Sequence, residues 1–262
     1  MEKRLILYSF LILFFTITAN AEQPEKPFNV NVGFTTYHHE YEEPGIMQNK
    51  GFFYGIAYSA MYEKSILLGV EGLISYGQVD YSSNSSGESD DIDDICLETR
   101  ALVGYAVLND TRVKITPFTG IAYRFLQDDS SNELTTTNNI GYLRESNYVY
   151  SPFGIKIDMP LNDGWHLKPA FEYDLFWFGE QESYLGYVAG YEDITNDQES
   201  GYGWRASLAL TKKTRAVGYG VELFYRYWDI DDSEITRDRF GRSWIEPDNE
   251  TSEIGLNLSI LF

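Results

Sequence analysis

The chain has a single cysteine, Cys96, among its 262 residues, so it cannot contain an internal disulfide framework. It also has 20 Lys and Arg residues against 40 Asp and Glu, which gives a formal net charge of −20 at pH 7. This scarcity of cations excludes nucleic acid as a partner, because phosphate backbones are bound by Lys and Arg. After residue 21 no segment approaches the length of an apolar helix that could span a bilayer. Cys96 itself is predicted to be a small, semi-buried residue near the start of a strand.

The first 21 residues are typical of a secretory signal peptide. Lys3 and Arg4 form a short positive region, and the apolar run 5–15 is too short to cross a bilayer as a helix. Residues 19–21, Ala-Asn-Ala, match a signal-peptidase cleavage site. The sequence therefore predicts that residues 1–21 are removed and that residues 22–262 form one exported domain.

The rest of the chain alternates apolar and polar residues with a period of two, which is typical of β-strands. The last thirteen residues, ETSEIGLNLSILF, show the pattern most clearly. The predicted strands cover residues 28–41, 52–62, 65–81, 97–107, 113–126, 147–159, 165–178, 202–211, 217–228 and 250–262.

The connections between these runs alternate between short turns and segments of about 8 to 22 residues. The long segments hold nearly all of the negative net charge; no Lys or Arg, for example, lies between Asp80 and Ile95. Short turns at one end and long loops at the other are typical of an outer-membrane barrel. We predict a ten-stranded antiparallel up-and-down transmembrane β-barrel, with eight strands as the alternative, whose acidic loops lie outside the cell.

In the predicted strands, the positions that alternate with the apolar residues carry many charged side chains. A soluble core could not bury so many charges, because each unpaired one costs several kcal/mol. The lumen of a ten-stranded barrel is narrow and polar, and side chains are expected to fill it. Acids and bases are nearly balanced there, which predicts an ion-pair network that closes the lumen; a charged selectivity path is the alternative. The predicted members are Glu71, Glu98, Arg100, Arg124, Glu172, Asp174, Arg205, Glu222 and Arg226.

The C-terminal run resembles the terminal signature of bacterial outer-membrane barrels, which implies recognition by the barrel-assembly machinery. The residues of that signature are Ile254, Leu256, Leu258, Ile260 and Phe262. Four further segments look like a widespread proteobacterial group of small outer-membrane barrels that has no firmly assigned activity. These segments are RESNYVYSPFGI, FEYDLFWFGEQESYLG, FYRYWDIDDSE and EPDNETSEIGL. The resemblance implies a bacterial outer-membrane location, with membrane lipids and lipopolysaccharide as surroundings.

Two enzyme classes on barrels of this size can be compared with the sequence. Omptin-like proteases pair an aspartate with a histidine at the outer rim, yet no Asp-x-His pair occurs on any run. Lipid hydrolases of the outer membrane need a Ser–His pair near the outer leaflet, whereas His166 is predicted inward at the periplasmic end. We therefore predict no catalytic residue. The rim residues considered for the protease were His38, His39, Asp80, Asp229, Asp231 and Asp232.

The acidic stretch DDIDD offers weak candidate ligands for a divalent cation, namely Asp90, Asp91, Asp93 and Asp94. Its spacing is not that of an EF-hand, so no metal site and no cofactor are predicted beyond weakly bound divalent cations. Such cations are expected to bridge the acidic loops to lipopolysaccharide. The predicted role is structural or adhesin-like, through the external loops and toward an unidentified ligand. A narrow, cation-preferring, porin-like channel is the alternative.

Overall fold

The polypeptide of the computed structural model forms a closed antiparallel β-barrel. The structure describes residues 27–131, 133–214 and 217–262, so the predicted signal peptide lies outside the described residues. Within the described ranges no helix is long and apolar enough to span a membrane. The wall consists of β1 (Phe28–Glu43), β2 (Met47–Glu63), β3 (Ile66–Ser83), β4 (Gly87–Tyr105), β5 (Lys114–Asp129), β6 (Leu143–Pro160), β7 (Trp165–Tyr184), β8 (Gly201–Lys212), β9 (Gly218–Ile230) and β10 (Asn249–Leu261).

The last strand closes the barrel against the first. β10 pairs antiparallel with β1, and Leu261 lies opposite Asn31. The Phe262 amide donates to the Val30 carbonyl at 2.8 Å, and the Val30 amide donates back to Phe262 at 3.3 Å. This pairing covers the two edges that β1 and β10 would otherwise leave open to intermolecular pairing. The ten-stranded prediction is confirmed, and the eight-stranded alternative is wrong.

Two predicted acidic loops are strands instead. β3 runs to Ser83 and β4 begins at Gly87, so most of residues 80–95 lie in the wall. Likewise, β1 and β2 are joined by a tight turn at 44–46 in which Gly45 has φ +76°, a conformation that favours glycine. The sequence predicted these loops to be too long because strands were identified by apolar alternation. That alternation occurs only where one face of the strand contacts lipid. In the crown the outer face is polar, so the alternation with outward apolar residues is lost while the backbone ladder continues.

Apolar side chains form a band around the outside of the barrel. The five residues of the predicted assembly signal point outward, with 44–54% of each side chain exposed. Aromatic residues mark the two borders of the band, as at the interfaces of a bilayer. They include Tyr54, Tyr76, Trp177 and Tyr202 at one border, and Phe28, Tyr62, Tyr105 and Tyr219 at the other.

The wall extends beyond this band at only one end. We call that extension the crown; it comprises residues 40–51, 77–94, 127–131, 133–147, 179–201 and 229–252. The opposite end, where Phe28 and Phe262 lie, is the base. A transmembrane β-strand needs about 9–11 residues, whereas β3, β4 and β7 have 18, 19 and 20. The additional residues build the crown.

Candidate functional site

A network of ion pairs crosses the lumen inside the lipid-facing band. The Arg205 Nε lies 2.8 Å from Asp174 Oδ2, and its Nη2 lies 2.6 Å from Glu98 Oε1. The Arg226 Nε lies 2.8 Å from Glu253 Oε2. Charges of the two signs are balanced, because five acids meet five bases. The members of this central network are Glu71, Glu98, Glu172, Asp174, Glu253, Arg100, Arg124, Lys156, Arg205 and Arg226.

The structure brings together all of the predicted network residues except Glu222. Among the described residues, Glu222 accepts one long hydrogen bond, 3.5 Å, from Asn257 Nδ2. Sequence reasoning missed Glu253, which contacts Arg124 and Arg226 and accepts a hydrogen bond from His39. The sequence contains one signal for Glu253: it alternates with the outward apolar residues of β10, which predicts that its side chain points into the lumen. Its position alone does not identify three partners on other strands.

Two apolar clusters fill the lumen on the crown side of this network, which the sequence analysis did not anticipate. Arginine side chains connect them to the network, since the Arg226 guanidinium lies 4.9 Å from the Tyr37 ring centroid. Cys96 is fully buried in the first cluster rather than semi-buried. The first cluster contains Tyr37, Phe53, Leu73, Val79, Ile92 and Cys96, and the second contains Ala122, Tyr148, Tyr150, Phe176, Trp228 and Ile230.

The base half of the lumen is hollow by comparison. A cavity of about 350 Å³ is lined by Lys114, Glu222 and Asn257 and ends at the arginines of the central network. On the crown side of the network, the next pocket among the described residues measures about 40 Å³. The cavity is therefore a blind vestibule that the network and the two apolar clusters separate from the crown.

Arg144 joins three parts of the crown. Its Nη2 lies 2.9 Å from Glu43 Oε1 at the top of β1 and also donates to Glu246 in the connection 231–248. Its guanidinium lies over the Tyr41 ring, 5.7 Å from the centroid. One cation thus ties β6, β1 and a loop together across the mouth of the barrel.

The crown loops also contact one another. Thr136 and Glu88 exchange two hydrogen bonds of 2.9 and 3.0 Å, which joins the connection 130–142 to the β3–β4 hairpin. Asn196 Nδ2 donates to the Glu234 and Trp244 carbonyls, each at 3.3 Å. These contacts convert separate loops into one continuous surface.

Asp238 organises the hairpin within the connection 231–248. It accepts hydrogen bonds from the backbone amides of Phe240 and Arg242, both at 2.9 Å, and from Trp244 Nε1 at 3.1 Å. Burial by itself would raise the pKa of Asp238, but these hydrogen bonds outweigh it and lower the pKa to about 2. The hairpin is therefore built around an ionised carboxylate.

The three histidines do not form the rim pair that an omptin-like mechanism requires. The His38 ring packs edge-on against Phe52 at 5.2 Å, and His39 points inward to Glu253. His166 lies near the base, where its Nδ1 is 2.7 Å from an Asp158 oxygen. None of them pairs, within the described ranges, with the rim acids considered above, Asp80, Asp229, Asp231 and Asp232.

The four acidic residues considered as metal ligands do not converge on one point. Strand alternation directs Asp93 outward, where it accepts a hydrogen bond of 2.5 Å from the Tyr76 hydroxyl. Asp94 points inward and is buried. Over the described part of the chain, no group of three or more His, Cys, Asp or Glu side chains is placed to hold a metal ion.

Comparison with known proteins supports the fold. No family model matches the chain, and no curated protein matches it. Among solved structures, it is similar to the outer membrane protease OmpT from Escherichia coli, with a TM-score of 0.64, 12% identity, and coverage of 90% of this chain and 96% of OmpT. At that identity the likeness shows the fold alone, because one fold hosts many functions.

Two more distant barrels align over similar lengths. The Pseudomonas putida toluene transporter TodX aligns with a TM-score of 0.37 and 9% identity, covering 91% of this chain and 90% of TodX. The β-domain of the Bordetella autotransporter BrkA aligns with a TM-score of 0.37 and 9% identity, covering 86% and 98%. The chain therefore has the fold of a closed antiparallel β-barrel with a wall of ten strands, similar to that of OmpT.

Proposed function

We propose that the protein resides in a Gram-negative outer membrane as a non-conducting barrel, and that its extracellular crown binds a partner in an adhesin-like role. In this orientation the base faces the periplasm. The observation that carries the proposal is the contrast between a lumen closed by packed side chains and a crown that exposes its chemistry to solvent.

The closed lumen argues against a channel. A solute entering from the periplasm would reach the vestibule and then meet the central network, whose Glu253 and Arg124 side chains are at most 2% exposed. To pass, it would have to separate paired charges and displace buried rings such as Trp228. Breaking a buried ion pair costs several kcal/mol, so a steady open state is not expected.

The crown, in contrast, exposes apolar side chains far from the lipid-facing band. Large exposed apolar groups beyond the membrane region are typical of interaction sites. They stand among carboxylates, so a complementary partner would offer both apolar and basic groups. The most exposed are Ile46, Leu134, Ile140, Tyr187, Ile235, Phe240 and Ile245, with 45–64% of each side chain accessible.

The conductance test separates the two functional classes. Purified barrel is reconstituted into planar bilayers, and current is recorded across a range of voltages. We expect no single-channel events from the wild type. Regular cation-selective openings would replace the proposed role with that of a narrow channel.

The binding test uses cells. A non-adherent host expresses the full chain, and attachment is measured on panels of immobilised matrix proteins and bacterial surface components. We expect attachment that Ile235→Ser with Phe240→Ser abolishes, because both residues lie in the crown. Val107→Ser is the matched control, since Val107 is 65% exposed at the base. Attachment unaffected by the crown variant would contradict the proposal.

A further inference from the structure

Acids outnumber bases around the inner rim of the crown. Arg144 is the cation there, and its ion pairs are made with Glu43 and Glu246. Asp94 and Asp128 also face this rim and line the pocket of about 40 Å³, but neither makes an ion pair in the described structure. Unlike the central network, the described part of the rim has fewer cations than acids, because Arg144 serves four carboxylates.

The two aspartates are held close by the sheet. Asp94 on β4 lies directly opposite Asp128 on β5. Side chains opposite each other on neighbouring strands have Cβ atoms roughly 5 Å apart, and like charges in such a pair destabilise the sheet. Asn49 from β2 reaches the same point and donates from Nδ2 to Asp128 Oδ2 at 2.6 Å.

Two acceptor atoms at this point lack a donor. Asn49 and Asp94 are 4% and 7% exposed, and the Oδ1 atom of each is buried without a hydrogen-bond partner within the described residues. A buried acceptor without a partner costs about 1–3 kcal/mol. Two carboxylates and the free amide oxygen of Asn49 around one small pocket therefore favour a positive species.

We propose that Asp94, Asp128 and Asn49 form a binding site for one Ca²⁺ ion. Ca²⁺ takes oxygen ligands of this kind, carboxylate and amide carbonyl, and completes its shell with water. The pocket of about 40 Å³ is large enough for an ion, since a site for one water needs about 10–15 Å³. Mg²⁺ fits less well, because it requires near-ideal octahedral geometry.

The other groups facing the pocket are compatible with this assignment. Tyr41, Ser146 and Gln181 are neutral, and His39 is engaged with Glu253. Arg144 is the permanent cation among the described lining residues; its ion pairs are made with Glu43 and Glu246, and its charge acts on Asp94 and Asp128 only from a longer distance. A bound ion would fix β2, β4 and β5 at the crown and rigidify the surface that the proposed function uses.

The test measures ion binding directly in the refolded full-length barrel. Protein freed of metal with EGTA is titrated with CaCl₂ at pH 7.5, and binding is followed by calorimetry and by the thermal midpoint Tm. We expect one site per barrel and a rise in Tm. Asp94→Asn with Asp128→Asn should weaken Ca²⁺ affinity roughly tenfold or more, because ligand charge sets affinity. Asp93→Asn, on the outer face of the same strand, is the matched control and should leave affinity unchanged.

A luminescence measurement keeps the proposal testable if the double variant does not fold. Tb³⁺ replaces Ca²⁺ and is excited through tyrosine, since Tyr41 lines the pocket. We expect Tb³⁺ emission from the wild type, and we expect Ca²⁺ to abolish it by displacing Tb³⁺. The single variant Asn49→Ala should reduce the emission, whereas Asp93→Asn should not. No Ca²⁺ effect on Tm at pH 7.5, together with a rise in Tm on acidification, would show that protons fill the role and would overturn the proposal. Equal Ca²⁺ binding by wild type and Asp94→Asn would overturn it as well.

Discussion

The crown-side and base-side halves of the lumen differ in packing although their sequences share the same alternation. On the crown side, Glu253 is 1% exposed and contacts two arginines and a histidine. On the base side, Glu222 is partly exposed in the vestibule and accepts one long hydrogen bond. The same residue type at an inward position is thus a structural centre in one half and a solvated lining group in the other.

The size of the inward side chains explains this difference. Crown-side strands direct Tyr37, Phe53 and Trp228 into the lumen. The base half has a smaller apolar cluster of four residues around Phe118, and the base end of β8 directs only Ala209 and Thr211 inward. Large rings fill a narrow cylinder and exclude water, while small side chains leave a cavity. We therefore expect substitutions of inward residues to cost more stability on the crown side than in the base-side vestibule.

The largest effect is expected from Glu253→Gln. Removing this charge leaves Arg124 buried without its acid and Arg226 with only the longer contact to Glu98 at 3.6 Å, which costs about 3–5 kcal/mol of the free energy of unfolding. Urea unfolding in liposomes, followed by tryptophan fluorescence, measures it. Glu222→Gln is the matched control and should change stability by less than about 0.5 kcal/mol. Equal losses in the two variants would refute the proposed difference between the halves.

The second-largest effect is expected from removing a phenylalanine ring on the inner face of the wall, compared with removing one on the outer face. Phe53 is 1% exposed inside the barrel, and its neighbour Phe52 is 58% exposed on the lipid side. Phe53→Ala should cost about 3 kcal/mol in the same unfolding assay, because it leaves an unfilled space in the first apolar cluster. Phe52→Ala should cost clearly less, since lipid refills the position. A reversed order would show that the apolar clusters do not stabilise the lumen.

A smaller, local effect concerns the pH dependence of the crown. The pKa of Asp238 is lowered to about 2 in the folded protein, against about 3.9 for a free aspartate. Its contribution is therefore fully present above about pH 4 and is lost as the pH falls through 2. The protection factors of the amides in 231–248, which are exchange rates corrected for the intrinsic pH dependence, should fall over that range.

The same hairpin can be opened at neutral pH by substitution. Asp238→Asn removes the negative charge that its amide and indole donors share, so exchange in 231–248 should already be fast at pH 6. Asp232→Asn, an exposed acid in the same connection, is the control and should exchange like the wild type. Slow exchange in Asp238→Asn would mean that the hydrogen bonds do not depend on the charge.

The smallest expected effect is that the Cys96 thiol does not react in the folded barrel. The Cys96 thiol is 1% exposed within the first apolar cluster, so a maleimide reagent should label it only after unfolding. Ser85→Cys in a Cys96→Ala background, at the tip of the β3–β4 hairpin, should label rapidly in the folded barrel. Rapid labelling of native Cys96 would indicate that the crown half of the lumen opens.

The sequence by itself determined the class of fold, the number of strands and the side on which each residue lies. Period-two alternation carries this information, because a residue on a closed wall faces either lipid or lumen. Inward positions such as Arg100 and Arg205 were predictable for that reason. The same rule failed for residues 80–95, where no lipid imposes an apolar face and the strands continue unrecognised.

Only the tertiary structure decided which inward residues meet. Glu253 and Arg124 are 129 residues apart in the chain but 3.1 Å apart in the lumen. The alternation pattern places both side chains in the lumen. It does not give their height along the barrel axis or their angle around it, because both depend on strand stagger and closure. The same holds for Asn49, Asp94 and Asp128, which come from three strands. Pairing across the closed sheet, rather than local pattern, brings them to one pocket.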